Sequence, residues 1–220
     1  MTALLLIRHG ESTWNAAGRW QGQADPPLSS RGEQQARSAI ARLGELAAFD
    51  IVVTSHLQRA RRTGEILARG ASIELGSPIA DLAERSAGGW EGLTRDEIEA
   101  RDSGFLLSGR RPDGYEGDAA VVERATRALN NLATRYPRGC GFVVTHGGVI
   151  NALERAAIDG DPTMERIANL EGRWFDIDVD ADGVRLVGER IQLLEAVDDA
   201  QQAGSQDRVA GGSGRSCVTG

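Results

Sequence analysis

The chain has 220 residues, of which 40% are hydrophobic and 26% charged, and its formal net charge is −7 at pH 7. This composition is typical of a soluble globular protein and excludes fibrous and wholly disordered classes, while the negative charge argues against binding to nucleic acids or anionic membranes. All 25 basic residues are arginines, so lysine-based chemistry such as a Schiff base or a P-loop is excluded. Any anion site must therefore be built from arginines.

Cysteine and histidine usage limits the other classes of site. Two cysteines, Cys140 and Cys217, are too few for a disulfide framework or a zinc site, so a reducing cytoplasm is the compartment we expect. No stretch approaches the length of a membrane span, and the apolar run at 3–7 is shorter than the core of a signal peptide. We expect no metal, because the histidines lack ligand spacing, and no cofactor. Formation of a homodimer is left open.

Three short apolar runs, at residues 3–7, 50–54 and 141–145, predict buried strands separated by helical patterns. This is the pattern of βαβ units, and it predicts an α/β fold: a three-layer αβα sandwich with a mostly parallel sheet and an antiparallel edge strand. That last strand belongs to a hairpin, which alternating residues predict over 173–179 and 184–191 around a turn at 180–183.

The helices between these strands have recognisable ends. Ser30 and Glu33 have the spacing of a capping box at the start of the first helix. Apolar periodicity predicts three further helices, over 58–68, 122–136 and 148–157. Residues 1–195 are expected to form one domain. The glycine-rich stretch 103–120 is expected to form a loop or flap over a site, and residues 196–220, which carry few bulky apolar side chains, a disordered tail.

Reactive side chains follow each predicted strand. The first run leads into Arg8 and His9, the second into Ser55 and then Arg59, and the third into His146. Ligands of open α/β sheets bind at the carboxyl ends of the strands, so we expect these side chains to meet at one edge. Each histidine alone is more often an ordinary hydrogen-bonding residue. Two histidines that each precede a glycine are harder to assign to packing, because glycine lets backbone amides approach a ligand.

The residues at these strand ends match a known pattern. The run 8–15, Arg-His-Gly-Glu-Ser-Thr-Trp-Asn, resembles the opening motif of the histidine phosphatase superfamily, which includes the cofactor-dependent phosphoglycerate mutases. Similar segments follow in the family's order, at residues 25–36, 54–63, 82–94 and 144–148. One Arg-His-Gly tripeptide is a weak signal, whereas five ordered motifs are a specific one.

The resemblance implies phosphoryl transfer through a phosphohistidine. His9 would be the nucleophile, and Glu84 would exchange a proton with the leaving oxygen. Arg8, Arg59 and His146 would hold the phosphoryl oxygens. Imidazole titrates near neutral pH and arginine donates in a planar fork, so these residue types suit the chemistry. The resemblance also suggests further phosphate or substrate contacts at Asn15, Gln21, Gly22, Arg85, Arg110, Arg111 and Gly147.

The superfamily both hydrolyses phosphomonoesters and transfers phosphoryl groups. A short segment between Gly92 and His146, and Gly148 where mutases carry asparagine, favour hydrolysis of a small phosphorylated metabolite. Arg110 and Arg111 are similar to substrate-gripping positions of mutases, which keeps mutase activity open as the alternative, although a solvated surface pair explains them equally well. A non-catalytic protein that binds phosphorylated ligands is less favoured, because no core residue of the motifs is lost.

Overall fold

The structure is a computed structural model that describes residues 1–157, 166–179 and 183–194. The predicted tail at 196–220 and most of the predicted hairpin turn at 180–183 lie outside the described residues. Cys217 lies outside them as well.

The described strands form one mixed sheet. Its strands are β1 (Thr2–Arg8), β2 (Ile51–Thr54), β3 (Cys140–Thr145), β4 (Glu171–Asp178) and β5 (Gly183–Gln192), in the order β2-β3-β1-β4-β5. β3 is parallel to both β1 and β2, whereas β4 is antiparallel to both β1 and β5. The α/β prediction is confirmed, and the edge strand β5 is antiparallel to its neighbour β4, as predicted. The expectation of a mostly parallel sheet holds only loosely, because two of the four pairings in the described sheet are parallel and two are antiparallel.

Each predicted helix is present within a few residues of its predicted ends. The described helices are α1 (Thr13–Ala16), α2 (Ser30–Leu46), α3 (Gln58–Ala71), α4 (Arg95–Arg101), α5 (Phe105–Ser108), α6 (Asp118–Arg135) and α7 (Gly147–Ala157), with short 3₁₀ turns at Ala80–Leu82 and Gly88–Trp90. In the ranges described, no helix is both long enough and apolar enough to cross a membrane.

The start of α2 differs in detail from the prediction. Ser29, one residue earlier than expected, is the N-cap, and its hydroxyl accepts a hydrogen bond from the amide of Gly32 at 3.0 Å. Glu33 does not complete a capping box. Its carboxylate instead forms ion pairs with Arg62 at 2.7 Å and Arg37 at 2.8 Å.

The core explains why β1 is apolar at successive positions. Leu4 and Leu6 pack with residues of α6 and α7, whereas Leu5 and Ile7 pack with residues of α2 and α3. Successive side chains of a strand point to opposite faces, so a strand covered by helices on both sides needs a continuous apolar run. The result is the expected αβα sandwich. A third cluster, built around Trp90 and Ile98, lies apart from these two and includes side chains of α4 and α5.

Candidate active site

The sheet register places the two motif histidines side by side. Arg8 is paired with Thr145 at the ends of β1 and β3, and the amide of His9 donates to the Thr145 carbonyl at 3.1 Å. The next residue on β3 is His146, and the centroids of the two imidazole rings are 5.1 Å apart. Both rings are buried, whereas the third histidine, His56, is exposed. Two distant parts of the chain therefore build one histidine pair.

The hydrogen bonds of His9 define its tautomer. Nδ1 lies 2.6 Å from the carbonyl oxygen of Gly10, which can only accept, so Nδ1 carries the proton. Nε2 lies 3.2 Å from Nε of Arg59, an obligatory donor. In the neutral ring the lone pair is therefore on Nε2. Burial, together with the positive charges of Arg59 and Arg8, holds the pKa of His9 well below its usual value.

Arg59 projects into the site from the first turn of α3. Its guanidinium is fully buried and donates to the carbonyl of Ala24 at 2.7 Å and to that of Gly22 at 2.8 Å, in addition to His9. Burial lowers its pKa to about 10, which leaves it cationic at neutral pH. The guanidinium is thus held in place before a ligand binds. It has five N–H groups, so it can still donate to a ligand beyond these three hydrogen bonds.

His146 offers a second imidazole nitrogen to the site. Its Nε2 lies 2.9 Å from the hydroxyl oxygen of Ser55, and its Nδ1 is buried without a hydrogen-bond partner among the described residues. The Ser55 oxygen also accepts from the amide of Leu57 at 3.2 Å, which leaves the Ser55 proton free to donate to His146. If Ser55 donates to Nε2, the imidazole proton is on Nδ1, which then can donate to a ligand. Burial, and then the charge of Arg59, hold the pKa of His146 well below its usual value.

Arg8 is held by a segment that the sequence analysis did not identify. Its guanidinium donates to the carbonyl of Ile167 at 2.7 Å, while the side-chain amide of Asn169 donates to the carbonyl of His9 at 2.8 Å. The amide of Leu170 donates to the Arg8 carbonyl. This connection before β4 therefore clamps both the side chain of Arg8 and the backbone of the nucleophile motif. The sequence of this segment, Arg-Ile-Ala-Asn-Leu-Glu at 166–171, has no pattern that predicts these contacts.

Glu84 follows the 3₁₀ turn at Ala80–Leu82. One carboxylate oxygen accepts from the amide of Arg85 at 2.8 Å, and the other from the amide of Gly148 at 3.1 Å, in the first turn of α7. A Cβ atom at position 148 would lie 2.2 Å from the Glu84 carboxylate, so this glycine makes room for it. The charge of Glu84 raises the pKa values of Arg8 and Arg59, against the larger effect of burial.

The loop after β1 contains three of the residues suggested as phosphate contacts. Asn15 forms a reciprocal capping box with Ser12, since each side chain accepts from the other residue's amide. The Ser12 hydroxyl donates to the side-chain oxygen of Gln21 at 2.7 Å, and the carbonyl of Gly22 accepts from Arg59. These contacts shape the loop around Arg59. Gly147 lies beside Arg8, where an added Cβ would be 3.4 Å from the arginine side chain.

The three remaining arginines of the predicted substrate set have protein partners. Arg85 is mostly buried and forms an ion pair with Asp118 at 2.5 Å. Arg110 and Arg111 are exposed on the segment after α5, with Arg110 stacked on the ring of Phe105 and Arg111 facing the ring of Tyr115. Both side chains lie with the cluster around Trp90, and neither contacts the histidine pair among the interactions of the described residues.

The assembled site combines an unprotonated imidazole nitrogen, two guanidinium groups, an imidazole donor and a carboxylate. This set can attack a phosphorus atom, neutralise the charge on its oxygens and exchange one proton. Among the described residues, no group of three or more histidine, cysteine or acidic side chains could hold a metal ion.

A family model for the histidine phosphatase superfamily, branch 1, matches residues 4–191. The chain belongs to this superfamily, whose members include phosphatases and phosphoglycerate mutase-like proteins, and the resemblance found in its motifs is confirmed. The superfamily is one of enzymes, and the candidate site lies at the carboxyl ends of the parallel strands, where the sequence predicted it.

Relatives are named both as phosphatases and as probable phosphoglycerate mutases. A metal-independent phosphoserine phosphatase of Arabidopsis thaliana is 35% identical over 160 residues, which cover 70% of this chain and 67% of that protein. A probable phosphoglycerate mutase, GpmB, of Cronobacter sakazakii is 35% identical over 162 residues, covering 70% and 73%. The structure of a mycobacterial glucosyl-3-phosphoglycerate phosphatase complexed with VO3 has a TM-score of 0.75 at 27% identity, covering 84% of this chain and 96% of that one.

Proposed function

We propose that this protein hydrolyses small phosphomonoesters through a phosphohistidine on His9, without a metal ion. The observation that carries the proposal is the state of His9: a buried, neutral imidazole whose Nε2 lone pair lies beside the guanidinium of Arg59. A nucleophile that is already unprotonated needs no auxiliary base. The same cation that disfavours protonation of His9 is available to bind the dianionic phosphoryl group.

In the first step, Nε2 of His9 attacks phosphorus, the P–N bond forms, and the ester P–O bond breaks. The departing oxygen takes a proton from Glu84, which must be in its acid form when the substrate is bound. Charge on the three equatorial oxygens is met by Arg8, by Arg59 and by Nδ1 of His146, which has no partner among the described residues and donates here in its protonated form. Before the attack, Nε2 of His9 must give up its hydrogen bond from Nε of Arg59. The carbonyls of Gly22 and Ala24 still hold the Arg59 guanidinium in place for the phosphoryl oxygens.

In the second step, water attacks the phosphorus and the P–N bond breaks. The Glu84 carboxylate, left ionised by the first step, takes the proton from this water, which restores the acid and frees His9. Inorganic phosphate leaves. Each group thus returns to its starting protonation state after one turnover.

Hydrolysis is favoured over transfer by two positions of the motifs and by the length of one segment. Gly148, which leaves room for Glu84, stands where mutases carry asparagine, and Ala87 stands where they carry tyrosine. The segment from Gly92 to His146 is short. The mutase alternative is retained, since several relatives are named probable phosphoglycerate mutases. We also propose a cytoplasmic location, which rests on the low cysteine content.

A substrate panel in the presence of chelator tests the proposal. Phosphoserine, phosphoglycerates, sugar phosphates, nucleotides and phosphopeptides are followed by ³¹P NMR, with and without 2,3-bisphosphoglycerate. We expect inorganic phosphate from a small ester, unaffected by chelator, no activity in His9→Ala and full activity in the control His56→Ala. Interconversion of phosphoglycerates that depends on 2,3-bisphosphoglycerate would support the mutase alternative instead.

A further inference from the structure

Three successive backbone carbonyls just before Glu84 are each bound by a side chain from another element. The carbonyls of Asp81 and Ala83 both accept from Nη1 of Arg124 at 2.7 Å. The carbonyl between them, that of Leu82, accepts from the hydroxyl of Thr145 at 2.8 Å. Thr145 immediately precedes His146. The turn that presents Glu84 is therefore fixed to α6 and to the end of β3.

Arg124 is itself held rigidly. Its Nε and Nη2 donate to the two carboxylate oxygens of Glu116, at 2.7 and 2.9 Å, and the side chains of Arg124 and Glu116 are only 13% and 18% exposed. A two-point guanidinium–carboxylate pair fixes orientation as well as distance. Since Nη1 donates the two hydrogen bonds to the carbonyls of Asp81 and Ala83, this one guanidinium connects Glu116 to the turn before Glu84.

Glu116 extends the same clamp to the other side of Glu84. Its carboxylate accepts from the amide of Ser86 at 3.2 Å, and its own amide donates to the carbonyl of Ser86 at 3.0 Å. The Arg124–Glu116 pair thus grips the backbone before Glu84, at residues 81 and 83, and after it, at residue 86. Glu84 lies in the middle of the gripped segment.

The carboxylate of Glu84 depends on that backbone for its position. In the described part of the chain, its hydrogen bonds come from two backbone amides, those of Arg85 and Gly148. One of these amides lies inside the clamped segment. A shift of the segment would therefore move the carboxylate relative to the amide of Gly148, which belongs to a different element.

We infer that Arg124, through its pair with Glu116, is a positioning residue for proton transfer by Glu84. The inference rests on the proposed role of Glu84 as the acid. Arg124 does not contact His9 among the interactions of the described residues, and its hydrogen bonds reach Glu84 only through the backbone of residues 81–86. Its charge also contributes, less than that of Arg59, to the lowered pKa of His146, and Arg124→Lys keeps that charge. Removing it should impair protonation of the leaving group more than attack by His9.

Leaving-group dependence distinguishes this effect from a general loss of structure. p-Nitrophenolate departs without protonation, whereas the alkoxide of an alkyl phosphate such as phosphoserine or glycerol 3-phosphate needs the acid. The quotient kcat/KM reports only the steps up to departure of the leaving group, so breakdown of the phosphoenzyme does not enter. In Arg124→Gln we expect kcat/KM to fall about 10- to 100-fold for the best alkyl substrate and less than about threefold for p-nitrophenyl phosphate.

Arg127→Gln is the matched control. Arg127 also lies on α6 and also contacts Asp81, but through an ion pair of side chains at 2.9 Å, and it is about half exposed. It should keep the wild-type ratio of the two kcat/KM values. Arg124→Lys, which keeps the charge but not the fork, should show the same change of ratio as Arg124→Gln, and Glu116→Gln a smaller change in the same direction.

Glu84→Gln separates this inference from the proposed function. If Glu84→Gln does not change the ratio of the two substrates, the acid role of Glu84 is wrong. Suppose that Glu84→Gln changes the ratio, whereas Arg124→Gln lowers kcat/KM equally for both substrates or for neither. In that case only the positioning role of Arg124 is overturned. Should Arg124→Gln fail to fold by circular dichroism, Arg124→Lys and Glu116→Gln decide the question, and a wild-type ratio in both overturns the inference.

Discussion

The hydroxyl of Thr63 lies 3.1 Å from the amide nitrogen of Gly10 and accepts its hydrogen bond. The same hydroxyl donates to the carbonyl of Arg59, one turn earlier on α3, at 2.8 Å. Gly10 is the residue whose carbonyl fixes the tautomer of His9. One buried side chain therefore joins the helix that carries the arginine to the loop that carries the nucleophile.

Replacing this hydroxyl with a methyl group should weaken both stability and turnover. In Thr63→Val the buried amide of Gly10 loses its acceptor, at a cost of about 1–3 kcal/mol in the free energy of unfolding. We expect kcat to fall about tenfold, because His9 is less firmly oriented. Thr63→Ser keeps the hydroxyl and should retain most of the activity. Urea denaturation and steady-state kinetics check this, and an unaffected kcat in Thr63→Val would remove Thr63 from the account.

Ser55 is expected to set the tautomer of His146. With the Ser55 proton directed to Nε2, the imidazole proton is on Nδ1, which is buried without a partner in the described ranges. In Ser55→Ala this preference is lost, and the site has a weaker donor for phosphate. ¹⁵N NMR of labelled histidine should show the Nδ1–H form in wild type and a mixture in Ser55→Ala, with weaker binding of inorganic phosphate. An Nε2–H form in wild type would exclude this assignment.

The two buried imidazoles should make stability depend on pH. Both pKa values are lowered in the folded state, first by burial and then by Arg59. Below the unfolded value of about 6.5, the unfolded chain binds protons that the folded chain does not, so stability falls as pH falls, by about 1.4 kcal/mol per pH unit for each group.

Urea denaturation between pH 7.5 and pH 5.5 measures this slope. Replacement of His9 or His146 by glutamine should make it shallower, whereas His56→Gln, which removes an exposed imidazole, should leave it at the wild-type value. Equal slopes in all four proteins would mean that neither buried imidazole resists protonation.

Two glycines of α2 should respond oppositely to the same substitution. A Cβ at Gly32 would lie 2.0 Å from the backbone oxygen of Glu11, so Gly32→Ala must push α2 away from the loop after β1. At Gly44 nothing lies within 4 Å. We expect Gly32→Ala to lower the melting temperature and the activity, and Gly44→Ala to stabilise the protein by about 0.5–1 kcal/mol. Thermal melts of both variants check this, and a stable, active Gly32→Ala would contradict the close packing.

The sequence predicted most where burial alone decides structure. The runs of β1, β2 and β3 are apolar because helices cover both faces of the sheet, and strand ends in a shared sheet bring His9, Arg8, Ser55 and His146 to one edge. Periodicity likewise located α3 and α6.

Contacts between segments far apart in the chain could not be predicted in this way. Gly32 reads as an ordinary residue within a capping box, whereas the structure shows that its missing side chain permits contact with Glu11. The clamp on Arg8 uses the backbone carbonyl of Ile167, and a carbonyl leaves no signature in a sequence. The place of the hairpin in the sheet depends on which of its two strands pairs with β1. In the structure this is β4, and alternation of residues does not encode that choice.

The most direct test of the central claim is the site of phosphorylation. Glu84→Gln should react normally with p-nitrophenyl [³²P]phosphate, whose leaving group needs no acid, but should hydrolyse the phosphoenzyme slowly and so accumulate it. We predict close to one acid-labile, base-stable label per chain, located on His9 by mass spectrometry, and no label after the additional substitution His9→Ala. A label on another residue, or turnover that survives in His9→Ala, would contradict the account.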